Sequence, residues 1–176
     1  MKSFWMPRGE LIDVRLNRER GKSVTILGGI SNHWDDLKFT LAPKTSTQYV
    51  KEFLLHIKPH ITRDPNDSSR KLCVMVLDNH KSHWSASTVD LAHELGIQLE
   101  YMPPTASELN PVERMWSFFK QRWRQKLYDP ELGISTENAP AFIIETLLEV
   151  GKHSKSLAKG PMNHMLMHCN PSLWKD

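Results

Sequence analysis

The sequence predicts an α/β domain, and three observations carry that prediction. Cys73 to Leu77 is an apolar, β-branched run of strand length that stops at Asp78. Ser85 to Leu95 has helical character and closes at Gly96, after which a second short run, Leu99 to Met102, is cut by Pro103 and Pro104. Asn110, Pro111 and Glu113 then supply an N-cap, a first-turn proline and an N3 acid, with Val112, Met115, Trp116, Phe119 and Trp123 following at helical spacing. Strand, helix, strand and helix succeed one another. Asp78 therefore falls at the C-terminal end of a strand and Glu113 in the first turn of a helix.

The remaining elements read as follows. Ser23 to Ser31, SVTILGGIS, is the clearest early strand, preceded by a polar turn from Arg18 to Lys22. Gly28 and Gly29 weaken a strand interior, which predicts a bulge or a close backbone approach there. Leu37 to Leu41 is a short alternating strand, antiparallel to the first across the loop Asn32 to Asp36. Thr45 and Gln48 fit a capping box for a helix carrying Val50, Phe53, Leu54 and Ile57 on one face and ending at Pro59. Arg63 to Arg70 is a surface loop. After the Glu113 helix, Asp129, Pro130 and Gly133 mark a break, and Thr136 or Asn138 caps a helix running towards His153, with Phe142, Ile143, Leu147 and Val150 as its apolar positions.

Composition narrows the class. A chain of 176 residues suits one domain, here residues 1–151, with a Lys-, His- and Met-rich tail over 152–176. With 39% hydrophobic and 24% charged residues it reads as soluble and globular. No apolar run reaches the roughly 18 residues of a membrane span, and the Met1 end lacks a signal-peptide pattern, so no membrane partner and no secretion are expected. The expected address is the nucleus in a eukaryote, or the cytoplasm and nucleoid in a bacterium. Cys73 and Cys169 have no CxxC spacing and are expected to be reduced. His164, His168 and Cys169 could share a helical face, but without a fourth ligand a zinc site is not predicted.

Two acids placed at a strand end and a helix start suit a site for divalent metal and phosphate. Between Asp78 and Glu113 lie 34 residues, and the words around them are LDNHKSH, YMPPTASELNPVE and RMWSFFK. This combination resembles the DDE transposases of the Tc1/mariner and IS630 superfamily over about residues 5–127. The resemblance implies a ribonuclease H-like fold, a mixed sheet flanked by helices. It implies Asp78 and Glu113 as catalytic, metal-holding acids for Mg²⁺ or Mn²⁺, supported by Asn79, His83, Asn110 and Pro111. It also implies DNA as partner, with a homo-oligomer or a full-length transposase as further partners. His80 does not belong to the word and is expected in a surface turn.

In such enzymes two metal ions activate water or a 3′-hydroxyl and stabilise the leaving oxygen, held by three carboxylates. Here the tryptophan and glycine word, Trp5 to Gly9, stands almost at the start, where the family would already have passed its first strand and first Asp. The expectation is a partial catalytic domain lacking the first central strand and its acid, inactive alone. Glu10 and Asp13 lie outside the family word. The alternatives are a transposase-derived DNA-binding or assembly protein without catalysis, and an active enzyme either mis-started or completed by a partner chain.

A net charge of +3 is too small to decide the matter. Its distribution says more: Arg114, Lys120, Arg122, Arg124 and Lys126 follow Glu113 with no acid among them, and beside the motif they are expected to face phosphates. The bland reading of the same run is a solvated helix face. Trp116, Phe119 and Trp123 are expected in the core rather than against bases.

Overall fold

The computed structural model describes residues 23–31, 33–61, 73–104 and 110–155. They form a mixed α/β arrangement of two small sheets flanked by helices. Strand β1 (Thr25–Gly29) pairs antiparallel with β2 (Lys38–Ala42), Thr25 opposite Ala42 and Gly29 opposite Lys38. Helix α1 (Thr47–Ile61) follows, then β3 (Cys73–Leu77), α2 (Ala86–Glu94) and β4 (Ile97–Tyr101). This βαβ unit makes β3 and β4 parallel, Cys73 opposite Ile97 and Leu77 opposite Tyr101. Helix α3 (Pro111–Leu127), a short 3₁₀ turn at Pro130–Leu132 and α4 (Ala139–Gly151) complete the described chain.

The period of two in β1 decides which helix meets which residue. Leu27 packs against the cluster of Trp34, Phe53, Leu54 and Ile57, and Cys73, Met75 and Leu99 join the same cluster. Ile26 faces the other way, towards Met115, Phe119, Leu147 and Val150, with Phe39 and Leu41 beside it. Helices α1 and α2 therefore cover one face and α3 and α4 the other. Because Leu27 of β1 and Met75 of β3 rest on one cluster, the two sheets occupy one layer, although no described strand joins them.

Local chemistry explains where the elements start and stop. The Ser46 hydroxyl accepts from Tyr49 N at 3.5 Å, so the cap of α1 is Ser46 rather than the expected Thr45. Gln48 does not close a capping box either; its amide donates to Glu52 at 2.9 Å. Pro59 lies inside the last turn of α1 instead of ending it. Pro59 is exposed, and so close to the helix end its lost N–H bond and its crowding of the Leu55 carbonyl affect the last turn alone. Strand β4 begins at Ile97, two residues earlier than its apolar run suggests, since Gln98 and Glu100 complete an alternating pattern. Gly96 turns the chain into it with φ of 71°.

Helix α3 starts as its sequence dictates. Asn110 takes an extended backbone and its Oδ1 accepts from Val112 N at 3.2 Å, with Pro111 at the first helical position. Helix α4 begins after Asn138, but that side chain accepts from Ser135 N at 2.7 Å and donates to Gly133 O at 3.1 Å, shaping the preceding turn rather than capping the helix. Leu37 N donates to Gly151 O at 3.3 Å, which fastens the end of α4 to the start of β2. The expected polar turn 18–22, the loop 63–70 and the tail residues His164, His168 and Cys169 lie outside the described residues, as do Trp5, Glu10 and Asp13.

Candidate active site

A cavity of about 740 Å³ opens between β1 and β3. Its walls include Leu27, Val74, Val76 and Trp116, and Asp78 and Glu113 both line it. The structure thus brings the two sequence-predicted acids to one space. Asp78 arrives there because β3 ends one residue before it, and Glu113 because Pro111 starts α3 two residues before it.

Asp78 is held by its own turn. Its Oδ1 accepts from His80 N at 3.0 Å, an Asx turn, and lies 2.7 Å from His83 Nδ1. A carboxylate only accepts, so the Nδ1 of His83 carries the proton in this contact. His83 is 15% exposed and Asp78 59% exposed, so the imidazole is packed while the carboxylate stays open to solvent. His83 also reaches the end of β4: its carbonyl accepts from the Tyr101 hydroxyl at 3.2 Å. Burial of that phenol raises the Tyr101 pKa above its ordinary value.

Asn79 has a bracing role. Its Nδ2 donates to Met102 O at 2.6 Å and its carbonyl accepts from Trp84 Nε1 at 3.3 Å, while Met102 N donates to Leu77 O at 2.9 Å. These bonds tie the ends of β3 and β4 together directly behind Asp78. His80, expected as an ordinary surface turn residue, is exposed but also lines the cavity; its Nδ1 is 2.7 Å from Ser82 Oγ and its ring centroid 5.7 Å from that of His83. The Asx turn at Asp78 is the local signal that could have placed it there, since it folds His80 back over the strand end.

The side chain of Glu113 is exposed, and no described side chain pairs with it. Its position in the first turn of α3 complements the helix dipole. Both carboxylates offer the hard oxygen donors that Mg²⁺ or Mn²⁺ takes, ions that commonly use one or two carboxylates and keep their waters. Among the described residues no group of three acid, His or Cys side chains is poised around one metal position.

The five basic residues of α3 divide in two. Arg122 Nε contacts Glu149 at 2.7 Å, and Lys126 Nζ contacts Glu145 at 2.8 Å and Glu149 at 3.2 Å, so these two dock α3 to α4. Burial works against the Lys126 charge, but both glutamates outweigh it and hold its pKa above the ordinary lysine value. Burial likewise opposes ionisation of Glu149, and Arg122 and Lys126 reverse that, keeping its pKa below the usual carboxylate value. Arg114, Lys120 and Arg124 are exposed and have no acidic partner among the described residues. Sequence alone could not make this division because both glutamates come from a helix more than 15 residues away.

Residues 2–131 match the family described as DDE superfamily endonuclease, and the chain belongs to that family. No curated protein matches the sequence. Among solved structures, the chain is similar to one in the cryo-EM structure of the simian T-cell lymphotropic virus intasome in complex with the PP2A regulatory subunit B56 gamma. The TM-score is 0.45 and the identity 16%, covering 69% of this chain and 46% of that one. The match therefore spans less than half of the intasome chain.

Proposed function

We propose that this chain supplies the second and third acids, Asp78 and Glu113, of a Tc1/mariner- or IS630-type transposase site with a ribonuclease H-like arrangement, acting on DNA. The observation that carries the reading is that Asp78, at the end of β3, and Glu113, in the first turn of α3, line one cavity. Mg²⁺ or Mn²⁺ held by these carboxylates would supply activation of water or a 3′-hydroxyl and neutralise the leaving oxygen. Within the chain, His83 orients the Asp78 carboxylate, Asn79 fixes the strand ends behind it, and Asn110 sets the start of the helix that presents Glu113.

Among the described residues these two carboxylates are one short of the set that positions a metal pair in this family, and the chain is proposed to be inactive by itself. A nuclease and strand-transfer assay with Mg²⁺ or Mn²⁺ tests this. Metal-dependent cutting that disappears in Asp78→Ala and Glu113→Ala variants would overturn the inactivity and establish the same two residues as catalytic.

A second reading, a DNA-binding or assembly role without catalysis, is favoured by one specific observation. Arg114, Lys120 and Arg124 remain exposed and unpaired by described acids after α3 has docked on α4.

A further inference from the structure

We propose that His80 is a phosphate-positioning residue of the site: its imidazole, held in the neutral form that carries the proton on Nε2, donates a hydrogen bond from Nε2 to an oxygen of a DNA phosphodiester beside Asp78. The ligand rests on the transposase reading, and the donor rests on local hydrogen bonds. Nothing in the motif word calls for a histidine at this position. The tautomer follows from the partners of the other ring nitrogen. The Ser82 backbone N–H is directed at His80 Nδ1 at 3.4 Å, and an N–H can only donate, so Nδ1 is the acceptor. The Ser82 hydroxyl, 2.7 Å from the same atom, then has to donate to it as well. Ser82 is 5% exposed and its carbonyl accepts from the Thr88 hydroxyl at 2.9 Å, so this pair of donors is anchored by the packed start of α2.

With Nδ1 accepting, a neutral imidazole bears its hydrogen on Nε2. Nε2 has no partner among the described residues, and His80 is exposed and lines the cavity with Asp78 and Glu113. The Asx turn couples the two side chains: His80 N donates to Asp78 Oδ1 at 3.0 Å and His83 Nδ1 lies 2.7 Å from the same oxygen, which leaves Oδ2 as the Asp78 atom open to a metal. A nitrogen that carries a proton cannot ligate a cation, so His80 stands outside any metal shell and its own ligand is an acceptor. Beside two carboxylates, the acceptor that DNA brings is a phosphate oxygen. A neutral donor can hold it without the ion pair that a lysine or arginine there would form with Asp78 or Glu113.

The test uses the full chain labelled with ¹⁵N at histidine, at about pH 8 where an ordinary imidazole is neutral, and a short DNA duplex with Mg²⁺. Long-range ¹H–¹⁵N spectra are expected to show His80 with Nε2 protonated and Nδ1 accepting, and His83 with the reverse. Added duplex should shift Nε2 of His80. In anisotropy titrations His80→Asn, whose amide reaches only as far as Nδ1, should bind about tenfold more weakly than the parent, and His80→Gln, whose amide N–H falls near Nε2, should recover most of that loss. Ser82→Ala should weaken binding in the parent background but not in the His80→Gln background, a difference that general loss of structure would not produce. His80 with Nε2 as the acceptor, or Asn and Gln variants of equal affinity, overturns the proposal and leaves the transposase reading standing. A parent chain that binds no duplex fails that reading and takes the proposal with it, so the two failures are told apart.

Discussion

Trp116 of α3 lies across Gly28 of β1 so closely that a Cβ at Gly28 would stand 2.7 Å from Trp116 Cη2 and 3.4 Å from Lys38 O. The contact fixes α3 against the first sheet one helical turn beyond Glu113, and so sets where that acid enters the cavity. A side chain at Gly28 must displace the indole. Gly28→Val is expected to destabilise the chain by about 1–3 kcal/mol through overpacking, and Gly28→Ala by less, because the far end of the ring can give way. Urea melts check this, with Trp116→Leu added to each variant. If the smaller side chain fails to relieve the Val variant, the indole is not what Gly28 makes room for.

Asn110 accepts from Val112 N, one of the donors a helix start leaves unpaired. Asn110→Ala is expected to cost about 1 kcal/mol, with Asn110→Asp retaining most of the stability. Thermal melts of the two variants give the answer. An unchanged midpoint for the Ala variant would place the start of α3 elsewhere, and Glu113 would lose its first-turn position.

Much of this was legible because it is local. The apolar run Cys73 to Leu77 gives β3 its bounds, Asn110 and Pro111 start α3, and Gly96 turns the chain into β4. The α1 cap is ambiguous in the sequence because Ser46 and Thr45 are chemically equivalent as caps, and backbone geometry chooses the later one. The roles of Arg122 and Lys126 were illegible for a different reason: a charge run shows its own helix but not the acids another helix brings to it. The place of His80 depends on a local Asx turn closed by the Asp78 carboxylate; the sequence signals the turn but not the cavity that the turn borders.

The α3–α4 ion pairs carry a pH prediction. The pKa of Glu149 is held below its ordinary 4.5, so its contribution is present above that value and is lost as pH falls through the lowered pKa. Lys126 is held above its ordinary 10.5, so its contribution is present below that value and is lost as pH rises through the raised pKa. A double-mutant cycle of Lys126→Met and Glu149→Gln should give a coupling below about 1 kcal/mol at neutral pH, since Glu149 is partly exposed. The coupling should vanish in acid. Coupling that persists unchanged at pH 2 would mean the two side chains interact through packing and not charge.

If α3 contacts DNA, the contact runs through Arg114, Lys120 and Arg124, since Arg122 and Lys126 are engaged by α4. Lys120 and Arg124 are four residues apart and share a helix face, whereas Arg114 adjoins Glu113 and lines with it, Ser117 and Phe118 a separate shallow depression. Each lysine or arginine that reaches a phosphate releases condensed counterions, so three contacts on duplex DNA give a slope of log K against log salt of about −3. Phosphate contacts carry no base identity, and binding should be tolerant of sequence. Fluorescence anisotropy across a salt series, using two variants, separates the roles within the helix. Changing Arg114, Lys120 and Arg124 together to Gln should flatten the slope towards zero, whereas changing Arg122 and Lys126 to Gln should leave it within about one unit of the parent while lowering the melting temperature. A parent slope retained by the first variant, or no binding by the parent at low salt, would make the free basic residues of α3 a solvated face and nothing more.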